Sequence, residues 1–202
     1  MAMPKHLYTI PNLLCFFRLG VIPVMVVLFY IDTAWAAWTN VVLYALAGAS
    51  DFFDGRIARA TNSETLLGKF LDSSSDKVVV GVALMLLLAF DRLDGIWIIP
   101  AIIIYVREIL ISGVREFMAL YNVIVPVSLL GKWKLTAQMF FIGFLIAGEY
   151  GNALIPHAYM IGKLGLWLAA AITVLSGWDY MRAAVKTILQ LETAGTDPAA
   201  KP

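Results

Sequence analysis

Asp51-Phe52-Phe53-Asp54-Gly55-Arg56-Ile57-Ala58-Arg59, then eight residues, then Gly68-Lys69-Phe70-Leu71-Asp72-Ser73-Ser74-Ser75-Asp76, is the stretch on which the reading of this chain turns. It sets four aspartates, two arginines and two glycines inside an otherwise apolar chain. On a helix, Asp51 and Asp54 stand one turn apart, as do Asp72 and Asp76, so each pair shares a face. Gly55 and Ala58 share the first face, and Gly68 stands one turn before Asp72 on the second. Two such faces set against each other make a pocket of carboxylates with little side-chain bulk in the way. An oxygen-rich, highly charged, small-residue-lined site suits a hard divalent cation, Mg²⁺ or Mn²⁺.

The surroundings of this stretch point to a membrane. The chain has 202 residues, 61% of them hydrophobic, and a mean hydropathy of +0.82. A soluble domain is about half apolar, so an all-α integral membrane protein with several crossings is expected. The net charge of +1 supplies no basic field for nucleic acid. Cys15 is the single cysteine, so an internal disulfide is excluded. His6 and His157 are isolated, and the chain has neither a Gly-rich phosphate loop nor a Ser-His-Asp pattern. No cleavable signal peptide is expected, because the apolar start runs on at spanning length with no small-residue cleavage site.

Six helices and no strand are expected. The first span covers Leu13 to Ile31, opened by Pro11, with the part before Gly20 read as a short interfacial helix and a bend expected at Pro23. The second starts near Trp38 and runs into the acidic stretch; the third covers Gly68 to Ala89 and the fourth Ile96 to Tyr121. The fifth covers Lys132 to Ala147, after which Gly148 to Pro156 reads as a loop. The sixth begins near Tyr159 and continues as a polar helix through Lys186. Residues 1–191 read as one membrane domain and 192–202 as a disordered polar tail.

Charge sets the expected orientation. In a six-span arrangement Lys5, Arg56, Arg59, Lys69, Lys132, Lys134, Arg182 and Lys186 fall on one side, with Arg92 and Lys163 at or near the other. The positive-inside rule then puts both termini and the acidic stretch at the cytoplasmic face.

A lone aspartate at the centre of a membrane helix costs roughly 2.5–3.5 kcal/mol. One such residue is readily explained as snorkelling to the headgroups; four at helical spacing call for metal, water or a cavity. On the fourth span Arg107 and Arg115 lie on neighbouring parts of one face, and Lys132 and Lys134 open the fifth. Four cations on that side suggest a second pocket, for an anion such as a phosphate ester. The plainer readings are that Arg107 pairs with a Glu and that the lysines anchor the membrane face.

The eight residues Asp51, Asp54, Gly55, Ala58, Arg59, Gly68, Asp72 and Asp76, at these spacings, resemble the signature of the CDP-alcohol phosphotransferases. Members of that family are integral membrane enzymes that pass a substituted phosphate from a CDP-alcohol to a second alcohol and release CMP. The flanking segments Ile10-Pro11-Asn12 with Arg18, Arg107 to Glu116, and Gly131 to Met139 resemble the bacterial branch that joins CDP-diacylglycerol to sn-glycerol 3-phosphate. One departure stands out. That branch often reads Asp-Pro-x-Ala-Asp-Lys, where this chain has Asp72-Ser73-Ser74-Ser75-Asp76-Lys77.

The resemblance implies one or two divalent cations, two being the fuller expectation, on Asp51, Asp54 and Asp72, with Asp76 near the second. It implies Asp76 as general base, Gly55, Ala58, Arg59 and Gly68 at the CDP-diacylglycerol, and Arg107, Arg115, Lys132 and Lys134 at the phosphate of sn-glycerol 3-phosphate. It also implies phosphatidylglycerophosphate as the lipid product, a homodimer among membrane lipids, and residence in a bacterial inner membrane with the site facing the cytoplasm. Inositol phosphate or serine as acceptor would keep the family and change the branch. A cation transporter would explain the acidic cluster differently, but its charges would not gather near one membrane side and its halves would show a repeat.

Overall fold

Helix formation follows the apolar runs closely. The structure is a computed structural model that describes residues 10–61, 66–121 and 129–193, the backbone alone at some positions within them. Six α-helices follow in order: α1 (Ile10–Phe29), α2 (Ala34–Thr61), α3 (Leu66–Ala89), α4 (Ile98–Leu120), α5 (Leu129–Ala147) and α6 (Ala158–Thr193). There is no strand among the described residues. Among the described residues three segments, Asn12–Phe29, Gly95–Leu120 and Ala158–Gln190, are long and apolar enough to cross a membrane. The chain is thus an all-helical protein of membrane character. Among the described residues, three of the six expected spans meet that length and apolarity.

The chain divides into two compact units, and the division falls inside α5 and α6. The first unit comprises Met1–Ile98 and Met139–Leu164. Here α1 packs on both α2 and α3. Its buried face runs Cys15, Arg18, Val21, Met25, Leu28, which is the three-to-four-residue period of one helix stripe. That stripe keeps its register across Gly20, so the short interfacial helix expected before Gly20 does not form as a separate element. Instead α1 is unbroken, with Pro23 inside it. Ala36, Ala37 and Ala47 on α2 are buried, and their small side chains permit close approach of helices. Helices also approach closely at Gly162, where a Cβ would stand 3.0 Å from side-chain atoms of both Phe144 and Leu145.

One end of this unit is stitched by polar contacts. Arg92 donates from Nη1 to the carbonyl of Leu145 (3.2 Å) and to that of Ile146, and its guanidinium lies 4.9 Å from the Phe29 ring centroid. The last carbonyls of α5 have no helical partner, and a basic side chain satisfies them. Burial pushes the Arg92 pKa down from its ordinary value. Gly148, with φ +58°, turns the chain out of α5 beside Arg92. The expected loop after α5 is instead a 3-10 helix, Gly148–Ala153, tied by a 2.6 Å bond from Asn152 to Glu149. Tyr150 donates to Asp32 (3.1 Å), which holds its phenol above the ordinary range. Lys163 pairs with Asp94 at 3.2 Å.

The second unit comprises Ile99–Gln138 and Gly165–Pro202. Ile111 and Met118 of α4 and Tyr180 and Ala184 of α6 form a core cluster, flanked by Val114, Met181 and Ile188. The opposite side of α4 exposes Ile102, Val106, Ile109, Leu110 and Phe117. Such a face is costly in water and at home against lipid chains.

Candidate active site

The backbone carries the acidic stretch as two helical segments of the first unit. Asp51, Asp54, Gly55, Ala58 and Arg59 lie on α2, which stays helical to Thr61. Gly68, Asp72 and Asp76 lie on α3. Helical backbone at both segments realises the one-turn spacings, about 4.5 Å of rise between Asp51 and Asp54 and about 6 Å between Asp72 and Asp76. The side chains of Asp51, Asp54, Ala58, Arg59 and Asp72, and the environment of Gly55, lie outside the described residues. Asp76 is partly exposed, and its carboxylate accepts from Lys77 at 3.2 Å. Among the described residues no three His, Cys, Asp or Glu side chains gather at one point.

Arg18 enters this region as a residue that sequence reading left without a role. It is 1% exposed. Its Nη1 donates to Ser75 Oγ at 2.7 Å and its Nε to Ser50 Oγ at 3.3 Å. Ser50 in turn donates to the Ala47 carbonyl at 2.7 Å. Ser50 immediately precedes Asp51 and Ser75 immediately precedes Asp76. The departure from the family pattern at Ser75 is therefore occupied by a hydrogen bond.

In the second unit two of the candidate anion-binding cations, Arg107 and Lys134, meet one carboxylate, Glu108. Lys134 on α5 is buried and pairs with Glu108 on α4. Gln138, one turn along α5, donates to the same Glu108 oxygen (3.3 Å) and to Thr173 Oγ1 (3.0 Å) on α6. Arg107 donates to the Thr173 carbonyl and to Ser176 Oγ, both at 3.1 Å, with Glu108 3.7 Å away. Arg115 is exposed, with its guanidinium 5.8 Å from the Tyr180 ring centroid. The fields of Arg107 and Arg115 both reach Lys134. The side chain of Lys132 lies outside the described residues.

The plainer reading of Arg107, a pairing with a Glu, is realised at Glu108 (3.7 Å); the sequence reading missed Glu108 as the partner of Lys134, and with it Gln138, Thr173 and Ser176. The available signal was the pairing rule for charges inside apolar helices: Arg107-Glu108 inside an apolar run demands partners, and Lys134 and Gln138 are one turn apart.

The pattern of the family described as CDP-alcohol phosphatidyltransferase matches residues 8–175. The chain belongs to the CDP-alcohol phosphatidyltransferase family. The match takes in both the acidic stretch and the cation cluster of this CDP-alcohol phosphatidyltransferase, so the chain is an enzyme of the transferase class.

Curated relatives agree. The CDP-diacylglycerol--glycerol-3-phosphate 3-phosphatidyltransferase of Rickettsia typhi is 43% identical over 174 residues, covering 86% of this chain and 96% of its own. The protein of that name from Salmonella typhimurium is 37% identical, covering 88% and 95%. That from Cereibacter sphaeroides is 32% identical, covering 88% and 96%.

Proposed function

We propose that this transferase moves the phosphatidyl group of CDP-diacylglycerol to sn-glycerol 3-phosphate, yielding phosphatidylglycerophosphate and CMP. The observation that carries the reading is the set of relatives bearing that activity in their names, matched across nearly their whole length. The cation cluster of the second unit supports a phosphorylated acceptor, since serine or choline would give Arg107, Arg115, Lys132 and Lys134 no phosphate to bind.

The donor set fits a metal. Asp51, Asp54, Asp72 and Asp76 supply carboxylate oxygens from helical backbone at one-turn spacing, which suits one or two Mg²⁺ or Mn²⁺ ions. When bound, such ions neutralise charge on the diphosphate and on departing CMP. Gly55, Ala58 and Gly68 leave room for the nucleotide and phosphates close to the helix backbone, and Arg59 holds the diphosphate. Asp76 takes the proton from the C1 hydroxyl of glycerol 3-phosphate. The C1 oxygen forms a bond to the β-phosphorus, the bond from that phosphorus to the CMP oxygen breaks, and CMP leaves with the electron pair. Arg107, Arg115, Lys132 and Lys134 hold the acceptor phosphate meanwhile.

Residues 1–191 act as one catalytic domain in this reading, with six spans and both termini in the cytoplasm of a bacterial inner membrane, as a homodimer. The clustering of Lys and Arg on one side of the six-span arrangement supports the orientation. The test is chemical. Incubation with CDP-diacylglycerol and labelled glycerol 3-phosphate should carry label into a lipid that co-migrates with phosphatidylglycerophosphate. Label that stays in the aqueous phase while CMP appears would contradict the assigned acceptor.

A further inference from the structure

We propose that Arg18 is a positioning residue for the acidic segments of α2 and α3, acting through Ser50 and Ser75. The proposal deepens the metal reading above and rests on it.

Three observations carry it. Arg18 is a cation buried in the most apolar part of the first unit, on α1, where a guanidinium is costly unless its donors are satisfied. Its donors reach two different helices, Ser50 on α2 and Ser75 on α3. The planar guanidinium fixes the angle between its N–H groups, so bonding both serines constrains the two helices relative to α1. Ser50 is itself oriented, because its own proton is given to the Ala47 carbonyl and its oxygen is left to accept from Arg18.

Each anchored serine is the residue before a candidate ligand. Successive residues on a helix are about 100° apart, so a serine held toward α1 sets the rotation of its helix at the next backbone position. Arg18 thereby fixes the rotation of α2 at Asp51 and of α3 at Asp76 with one side chain. It also places a positive charge among segments that carry four carboxylates, which eases their mutual repulsion before a cation arrives. Arg18 touches no substrate in this scheme.

The test uses full-length protein in detergent, with Mn²⁺ binding followed by the electron paramagnetic resonance signal of free Mn²⁺, alongside CMP release. Arg18→Ala should weaken Mn²⁺ binding by about tenfold or more, as loss of a group that orients metal ligands does. It should lower kcat while leaving the KM for glycerol 3-phosphate within about twofold, since the acceptor cations belong to the second unit. Arg18→Lys should recover part of the loss. Ser50→Ala with Ser75→Ala keeps the charge and the packing and should still weaken Mn²⁺ by about threefold or more; it decides the question if Arg18→Ala fails to fold. Arg182→Ala is the control and should match wild type. Wild-type Mn²⁺ affinity in the folded serine double variant overturns the role of Arg18 alone. Wild-type protein that releases CMP but binds no Mn²⁺ overturns the metal reading and this role with it.

Discussion

Gly177 and the Arg107 side chain lie in contact: a Cβ on Gly177 would stand 2.9 Å from Arg107 Nε and 3.2 Å from its Cγ. The missing methyl is what lets Arg107 lie across α6 and reach the Thr173 carbonyl and Ser176 Oγ. Gly177→Ala should push the guanidinium off both partners. If Arg107 holds the acceptor phosphate, the KM for glycerol 3-phosphate rises about fivefold to tenfold, equivalent to ~1–1.4 kcal/mol, with kcat little changed. An unchanged KM in a folded variant would make Arg107 a purely structural residue.

Glu108 is the charge on which the second unit's polar network depends. It accepts from Lys134 and Gln138 together. Glu108→Gln leaves Lys134 buried without its counter-charge, which should destabilise the protein by roughly 1–3 kcal/mol. Replacing both partners, as in Glu108→Gln with Lys134→Met, should cost less than the sum of the single changes. Thermal unfolding of the four proteins in one detergent measures this. Additive losses would show that the pair is not coupled.

What the sequence conveyed followed from local signals. Apolar runs gave the helices, and fixed one-turn spacings put Asp51 with Asp54 and Asp72 with Asp76 on faces that helical backbone then realised. What it did not convey depends on which helices touch. Arg18 meets Ser75 across 57 positions of sequence and Lys134 meets Glu108 across 26. No periodicity within one helix encodes either contact. The short interfacial helix expected before Gly20 is likewise no separate element: α1 runs as one helix from Ile10 to Phe29 and packs on α2 and α3.

Tyr44 is a buried phenol whose hydroxyl has no hydrogen-bond partner among the described residues. It is 1% exposed on α2. An unmade hydrogen bond of this kind costs about 1–3 kcal/mol, so Tyr44→Phe should leave stability unchanged or raise it by up to ~1 kcal/mol. Thermal unfolding checks it. A loss of stability would reveal a water or side chain that the hydroxyl serves.

Arg92 and Gly148 hold the C-terminal end of α5. A Cβ at Gly148 would stand 3.1 Å from Arg92 Nη1, and the residue's φ of +58° disfavours a side chain in any case. Gly148→Ala and Arg92→Ala should each destabilise by about 1–2 kcal/mol. Both should leave the KM values of either substrate near wild type, since neither residue belongs to the proposed site. A selective rise in one KM would bring this end of the molecule into the catalytic account.

The most direct test of the central claim is CMP release by the purified protein with CDP-diacylglycerol and Mg²⁺, given glycerol 3-phosphate, inositol 1-phosphate or serine in separate reactions. The account predicts release with glycerol 3-phosphate alone, abolished by EDTA and by Asp76→Asn, with CMP binding retained in that variant. Release with another acceptor would contradict the assigned substrate. Silence with every acceptor, in folded protein, would contradict the proposed transfer itself.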